Sequence, residues 1–250
     1  MTPLGALVIL GAGAVAGMVN TIVGSGSLVT FPTLLALGYP PLIANVSNTV
    51  GLVPGSVSGA IGYRRELAGQ LRRLLMLGSM SLLGGITGAL LLLAAPGTFE
   101  VLVPFLILLA CALMAAQPRL ARRGGRSDRP VLAGRGVLPL LVFLTGIYGG
   151  YFGAAQGVLL IAFLSLGIHD QLQRLNAAKN VLAALVNGVA AVIFIAVSDV
   201  DWAVAGLLAV GAIAGGFTGA SLGRRIPGPV LRYVVVIGGV IVAAILLIRH

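Results

Sequence analysis

The chain has 250 residues, 58% of them apolar and only 9% charged, with 37 glycines and a formal net charge of +10. A typical soluble domain is about 25% charged, so this composition excludes an ordinary soluble globule, a disordered tail and a disulfide scaffold. Too few charges exist to cover a water-facing surface, and the solvent of such a chain is largely lipid. The positive balance does not point to nucleic acid: all but one of the 16 cations are arginines, clustered between apolar runs, where cations act first as topology signals.

Ten apolar segments are predicted, at 4–23, 28–38, 43–63, 74–95, 100–117, 137–152, 157–168, 177–197, 202–222 and 229–248. Most approach the roughly 20 residues that cross a bilayer core, whereas the second and seventh are short. The first counts as a span, since Met1-Thr2-Pro3 lacks the basic start of a signal peptide. Residues 118–136 form the one long polar stretch, rich in Arg and Gly, which reads as a linker between a first membrane repeat at 1–117 and a second at 137–250. The expected fold is an all-α polytopic membrane protein with two inverted-topology repeats and eight to ten transmembrane segments, some short or re-entrant.

The repeat rests on shared glycine spacing and on segment order. Gly17 and Gly146 precede Gly24 and Gly153 by the same interval, and those precede Gly38 and Gly167 equally; Asn48 and Asn180 follow as a further pair. The inversion rests on charge. Arg64, Arg65, Arg72, Arg73 and the linker arginines (Arg119, Arg122, Arg123, Arg126, Arg129, Arg135) belong in the cytoplasm, with Arg174 and His169 at the same end. The loops at 95–100 and 198–201 lack cations and belong outside, while Arg224 and Arg225 return to the cytoplasm. Equivalent loops thus face opposite sides, which requires an odd number of crossings per half and places both termini outside, with Arg249 against the rule. The glycine series Gly211, Gly215, Gly219, Gly223 and Gly51, Gly55, Gly59 reads as packing stripes between helices.

All six acids (Glu66, Glu100, Asp128, Asp170, Asp199, Asp201) fall at or near segment ends. Cation-coupled transport usually needs a carboxylate inside the membrane, so their placement argues against it and against a paired-carboxylate hydrolase. One cysteine, Cys111, and two histidines give no zinc spacing, and no metal or cofactor is expected. The uncharged polar residues gather in two places: Asn20 to Ser27 with Asn45, Ser47, Asn48 and Thr49, and Gly149 to Gly157 with Asn176, Lys179 and Asn180. Glycines there break the helix, and the short helix that follows begins with free N–H groups able to hold an anion. Paired breaks at corresponding positions point to a transporter's central site. The candidate substrate-binding residues are Asn20, Gly24, Ser25, Gly26, Ser27, Asn48, Thr49, Gly153, Gln156, Gly157, Lys179 and Asn180. Each has a plainer reading. The hydroxyls can bond back to carbonyls, the amides can pack helices, and Lys179, the single lysine, can snorkel to the interface.

The segments Gly13 to Ser27, Phe31 to Pro40 and Ala44 to Thr49 resemble the TauE/SafE family of membrane proteins, the sulfite-exporter and sulfonate-permease group, and Gly146 to Gly157, Gly167 and Ala177 to Asn180 resemble that family's second copy. Family members often carry consecutive glycines where Ser25 and Ser27 stand here, and are commonly described with two sets of four spans. The resemblance implies transport of small anions, chiefly sulfur oxyanions and organosulfonates, across a bacterial cytoplasmic membrane. The expected partners are therefore a small anion and the lipid bilayer, without nucleic acid; the small-residue stripes would serve internal and intersubunit packing equally. The expected function is a secondary transporter rather than an enzyme. A passive anion channel is the alternative. An intramembrane serine protease, pairing Ser25 or Ser27 with His169, is a more distant one.

Overall fold

The computed structural model describes residues 1–124, 136–222 and 236–245. Residues 125–135 of the linker, with Arg126, Asp128, Arg129 and Arg135, the pair Arg224 and Arg225, Gly223 and Arg249 lie outside the described residues. The described chain is helical: α1 (Pro3–Ile22), α2 (Ser27–Ala36), α3 (Pro41–Gly62), α4 (Leu71–Ala94), α5 (Pro96–Gly124), α6 (Val137–Tyr151), α7 (Gln156–Gly167), α8 (Leu172–Val197), α9 (Trp202–Leu222) and α10 (Val236–Ile245). Prolines at the first position start α1, α3 and α5, where the missing N–H costs nothing. Thr2 caps α1 by accepting from the Gly5 N–H at 3.1 Å.

Among these helices, α1, α4, α5, α8 and α9 are long and apolar enough to cross a membrane. The protein is an all-α, multi-pass membrane protein, and leucines such as Leu4, Leu75, Leu90 and Leu140 stand more than half exposed on its flanks. The long helix α3 falls outside that set because it carries Asn45, Ser47, Asn48, Thr49, Ser56 and Ser58, all buried. Two boundaries differ from expectation. Helix α8 begins at Leu172, and its polar residues from Asn176 to Asn180 are buried against protein; α5 continues to Gly124, into the segment expected to be linker.

The helices pack in two groups. In one, α9 lies against α1 and α3; in the other, α4 lies against α6 and α8; α3 and α8 also pack on each other, as closely as α4 packs on α8, and join the two groups. If α1, α3 and α9 correspond to α6, α8 and α4, the two groups have the same internal arrangement. Lipid supplies little hydrophobic force between helices, so close backbone approach does the packing, and the glycine stripes provide it. A Cβ on Gly13 would lie 2.8 Å from the Leu208 carbonyl oxygen, one on Gly55 2.8 Å from that of Ala212, and one on Gly215 would overlap that of Ala14. In the second group, a Cβ on Gly88 would overlap the Ile147 carbonyl oxygen, and one on Gly146 would lie 2.9 Å from that of Ser81. Helix α5 packs on α7, and Gly239 of α10 lies against Cys111 of α5.

Loop contacts hold each group at its ends. Asp170, between α7 and α8, accepts from Arg73 of α4 and Arg174 of α8, both at 2.9 Å. Burial works against the Asp170 charge, but hydrogen bonds from Arg73, the Gln171 N–H and Arg174 outweigh it and hold the carboxyl below its ordinary value. Gln70 donates to the Arg174 carbonyl and Arg174 to that of Ala68, both at 3.1 Å. Arg73 and Arg174 therefore share one end of the molecule. Before α9, the Asp201 N–H donates to Ser47 Oγ of α3 at 2.9 Å, and the Asp201 carboxylate caps α9 through the Val204 N–H at 3.0 Å.

Candidate functional site

Both helix breaks are built the same way. After α1, the N–H groups of Val23 and Gly24 both donate to the Val19 carbonyl, at 2.8 and 3.0 Å; after α6, those of Phe152 and Gly153 both donate to the Tyr148 carbonyl, at 2.9 and 3.3 Å. The chain then turns through Gly24 at φ +90° and Gly153 at φ +79°, a region glycine enters without steric cost. The next helix starts three residues later in each case, at Ser27 and Gln156. In the second break Ala155 also stands at φ +61°, a position that strains a residue with a Cβ.

The two breaks touch. The Gly157 N–H donates to the Gly24 carbonyl at 2.9 Å, and a Cβ on Gly24 would stand 2.5 Å from the Gly157 Cα. Gly26 has a packing reason of its own, since a Cβ there would meet the Ala16 carbonyl oxygen at 2.5 Å. Phe152 stacks edge-on against Phe31 with centroids 5.3 Å apart, and Phe31 in turn faces Phe99 at 6.4 Å, so aromatic rings wall the second break on the side of α2 and α5.

Helices α3 and α8 bring the polar side chains. Counted from their first residues, Asn45 matches Asn176, Asn48 matches Lys179, Thr49 matches Asn180 and Ser56 matches Asn187. The glycine count had paired Asn48 with Asn180. The helix starts correct this, because the connection from Gly167 to α8 is longer than the one from Gly38 to α3.

Each helix reaches across to the break of the other half. Lys179 is buried, and its Nζ donates to the carbonyls of Asn20 and Thr21, both at 3.1 Å. It therefore does not snorkel to an interface. Its nitrogen sits at the C-terminal end of α1, where exposed carbonyls carry partial negative charge. Asn176 and Asn180 donate to the same Thr21 carbonyl at 3.3 and 3.4 Å. One oxygen with two lone pairs thus faces three donors. In the other direction the Asn45 amide donates to the Tyr151 carbonyl at 3.1 Å. Asn48 stays within its own half, donating to Ser27 Oγ at 3.1 Å and accepting a very short bond from Thr30. The Thr49 hydroxyl bonds back to the Asn45 carbonyl, which is its plainer reading.

Three buried polar atoms around the breaks have no hydrogen-bond partner among the described residues: Ser25 Oγ, Gln156 Nε2 and Asn45 Oδ1. The Gln156 side chain folds against Gly149, where a Cβ on that glycine would overlap it. Burying an unpaired amide is costly, and such groups mark a place for a ligand or water. His169 is exposed in the loop before α8, and Ser27 Oγ takes the Asn48 amide, so neither serine is hydrogen-bonded to a histidine.

Asn176, Thr30, Ser56 and Asn187 join this polar group without having been candidates. Ser56 Oγ accepts from the amides of Asn20 at 3.1 Å and Asn187 at 3.4 Å. Ser56 and Asn187 hold matching places in α3 and α8, counted from the helix starts, and touch each other. The signal was the equal spacing from the helix starts, hidden because the start of α8 is polar.

The comparisons with known proteins agree with this architecture. The family described as sulfite exporter TauE/SafE matches residues 9–246. The chain belongs to the TauE/SafE family. It is 29% identical over 216 residues to the "Probable membrane transporter protein ORF9" of Sinorhizobium sp., covering 84% of this chain and 78% of that protein. It is 29% identical over 214 residues to a "Probable membrane transporter protein" of Haemophilus influenzae, covering 84% and 82%. It is 28% identical to the "Probable membrane transporter protein YfcA" of Escherichia coli K12, covering 84% and 76%. Family and relatives together indicate a membrane transporter.

Proposed function

We propose that this TauE/SafE protein is a secondary carrier of a small oxyanion, a sulfite-like or organosulfonate anion, in the bacterial cytoplasmic membrane. The observation that carries the reading is the surplus of donors around the Thr21 carbonyl: Lys179, Asn176 and Asn180 converge there, and the Gln156 amide lies buried without an acceptor. An oxyanion offers several acceptors in a small volume and a charge to balance Lys179. The described acids do not compete for this role: Glu66, Asp170, Asp199 and Asp201 sit in connections and Glu100 near the start of α5. In this reading the donors replace the anion's water, Ser25 and Gln156 complete the shell, and access alternates as one helix group rocks against the other, the two sequence halves lying in opposite orientations.

Ligand-dependent stability tests the reading. Purified protein in detergent is heated with N-methylglucamine salts of sulfite, sulfate, thiosulfate and taurine, and with sodium gluconate. A cognate oxyanion at a hundredfold excess over its Kd is expected to stabilise by about 2.7 kcal/mol, seen as a raised Tm. Stabilisation by sodium and by none of the oxyanions contradicts the reading.

A further inference from the structure

The polar ties between the two helix groups converge on the candidate site. The loop clusters at Asp170 and Asp201 each join elements of a single group: Arg73 of α4 and Arg174 of α8 in one, Ser47 of α3 and the start of α9 in the other. The bonds that cross between groups are different ones. They run from Asn176, Lys179 and Asn180 of α8 to the carbonyls ending α1. They continue with the Gly157 N–H to Gly24, Asn45 to Tyr151, and Asn187 to Ser56. Glycines bring α1 and α3 onto α9, and α4 onto α6, backbone to backbone, which leaves little room for sliding within those pairs. Relative motion of the groups therefore slides α8 along α3 and breaks the ties at the site.

We infer that the substrate anion and the α1 carbonyls compete for the same α8 donors, so that loading the site releases the tie that holds the two helix groups together. This rests on the oxyanion reading above. Lys179 has three N–H donors, and two are spent on the carbonyls of Asn20 and Thr21. The third is the one an arriving oxyanion meets first. A full negative charge attracts an ammonium more strongly than a neutral carbonyl does, and Thr21 gives up a surplus donor easily because it is oversubscribed. Once Lys179, Asn176 and Asn180 turn to the anion, the α1 end loses its cap from α8. The empty protein stays tied and the loaded one moves, which couples movement to occupancy and favours exchange over slip. Lys179 and Asn176 are on this account positioning residues for the motion as well as ligands.

Pulsed electron paramagnetic resonance in liposomes tests the inference, with Cys111→Ala as background and spin labels at Ile61 of α3 and Leu75 of α4, both exposed. Without anion, a single distance is expected; saturating sulfite should add a second. Lys179→Met should show the second distance without sulfite, with the ratio of the two populations raised at least about tenfold, as loss of a charged hydrogen bond implies. Asn176→Ala should shift the ratio in the same direction and covers the case in which Lys179→Met does not fold. Wild-type distances in the folded variants overturn the inference. If the variants shift but sulfite leaves the wild type unchanged, the tie stands and the oxyanion reading falls.

Discussion

Lys179 reaches two carbonyls of α1 from inside α8, and its company there is amides rather than carboxylates. That it was the single lysine, in a chain whose other cations are arginines at segment ends, was legible in the sequence. Its partners were not, because they are backbone oxygens and carry no side-chain signal. The same applies to the surplus of donors on Thr21. Asp170 shows the opposite case, an acid at a segment end whose arginine partners could be guessed by charge but whose geometry needed the fold. Its folded carboxyl is held below the ordinary value of 3.8, so its stabilisation is present above that value and lost as the pH falls through the folded one. Asp170→Asn is expected to lower stability by about 1 kcal/mol at neutral pH, with the difference from wild type shrinking in acid. Thermal melts in detergent across pH measure this, and a difference that does not change with pH contradicts it.

At the scale of elements, the short second and seventh helices and the breaks before them were legible, since Gly24 and Gly153 can enter positive φ where other residues strain. The start of α8 was not, because Gln173, Arg174 and Asn176 read as polar and the burial that follows from Leu175 is invisible in the sequence. The stripes at Gly51 and Gly55 and at Gly211, Gly215 and Gly219 were read as packing faces, and the backbone contacts they make bear this out. The contact between the breaks makes a sharper demand. A Cβ on Gly157 would overlap Gly24, and overpacking of this kind costs about 1–3 kcal/mol. Gly157→Ala should therefore lower the Tm, while Gly188→Ala, whose Cβ meets nothing within 4 Å, should leave it unchanged or raise it slightly. Equal effects of the two substitutions would show that the breaks do not touch.

At the scale of the molecule, the sequence halves are not the packing groups: α9 lies with α1 and α3, and α4 lies with α6 and α8. A linear reading of duplication could not show this exchange, because it depends on which glycine stripe meets which. The exchange interlocks the halves, which polar ties from α8 to α1 and from α3 to α6 then join. The central claim is that a small anion crosses through those ties. Uptake of radiolabelled sulfite into proteoliposomes preloaded with unlabelled sulfite, compared between wild type and Lys179→Met protein of equal monodispersity, measures this. Saturable uptake is expected of the wild type and a loss of at least about tenfold of the variant, as removal of a charge-assisted hydrogen bond implies. Uptake that is unchanged in Lys179→Met would contradict it.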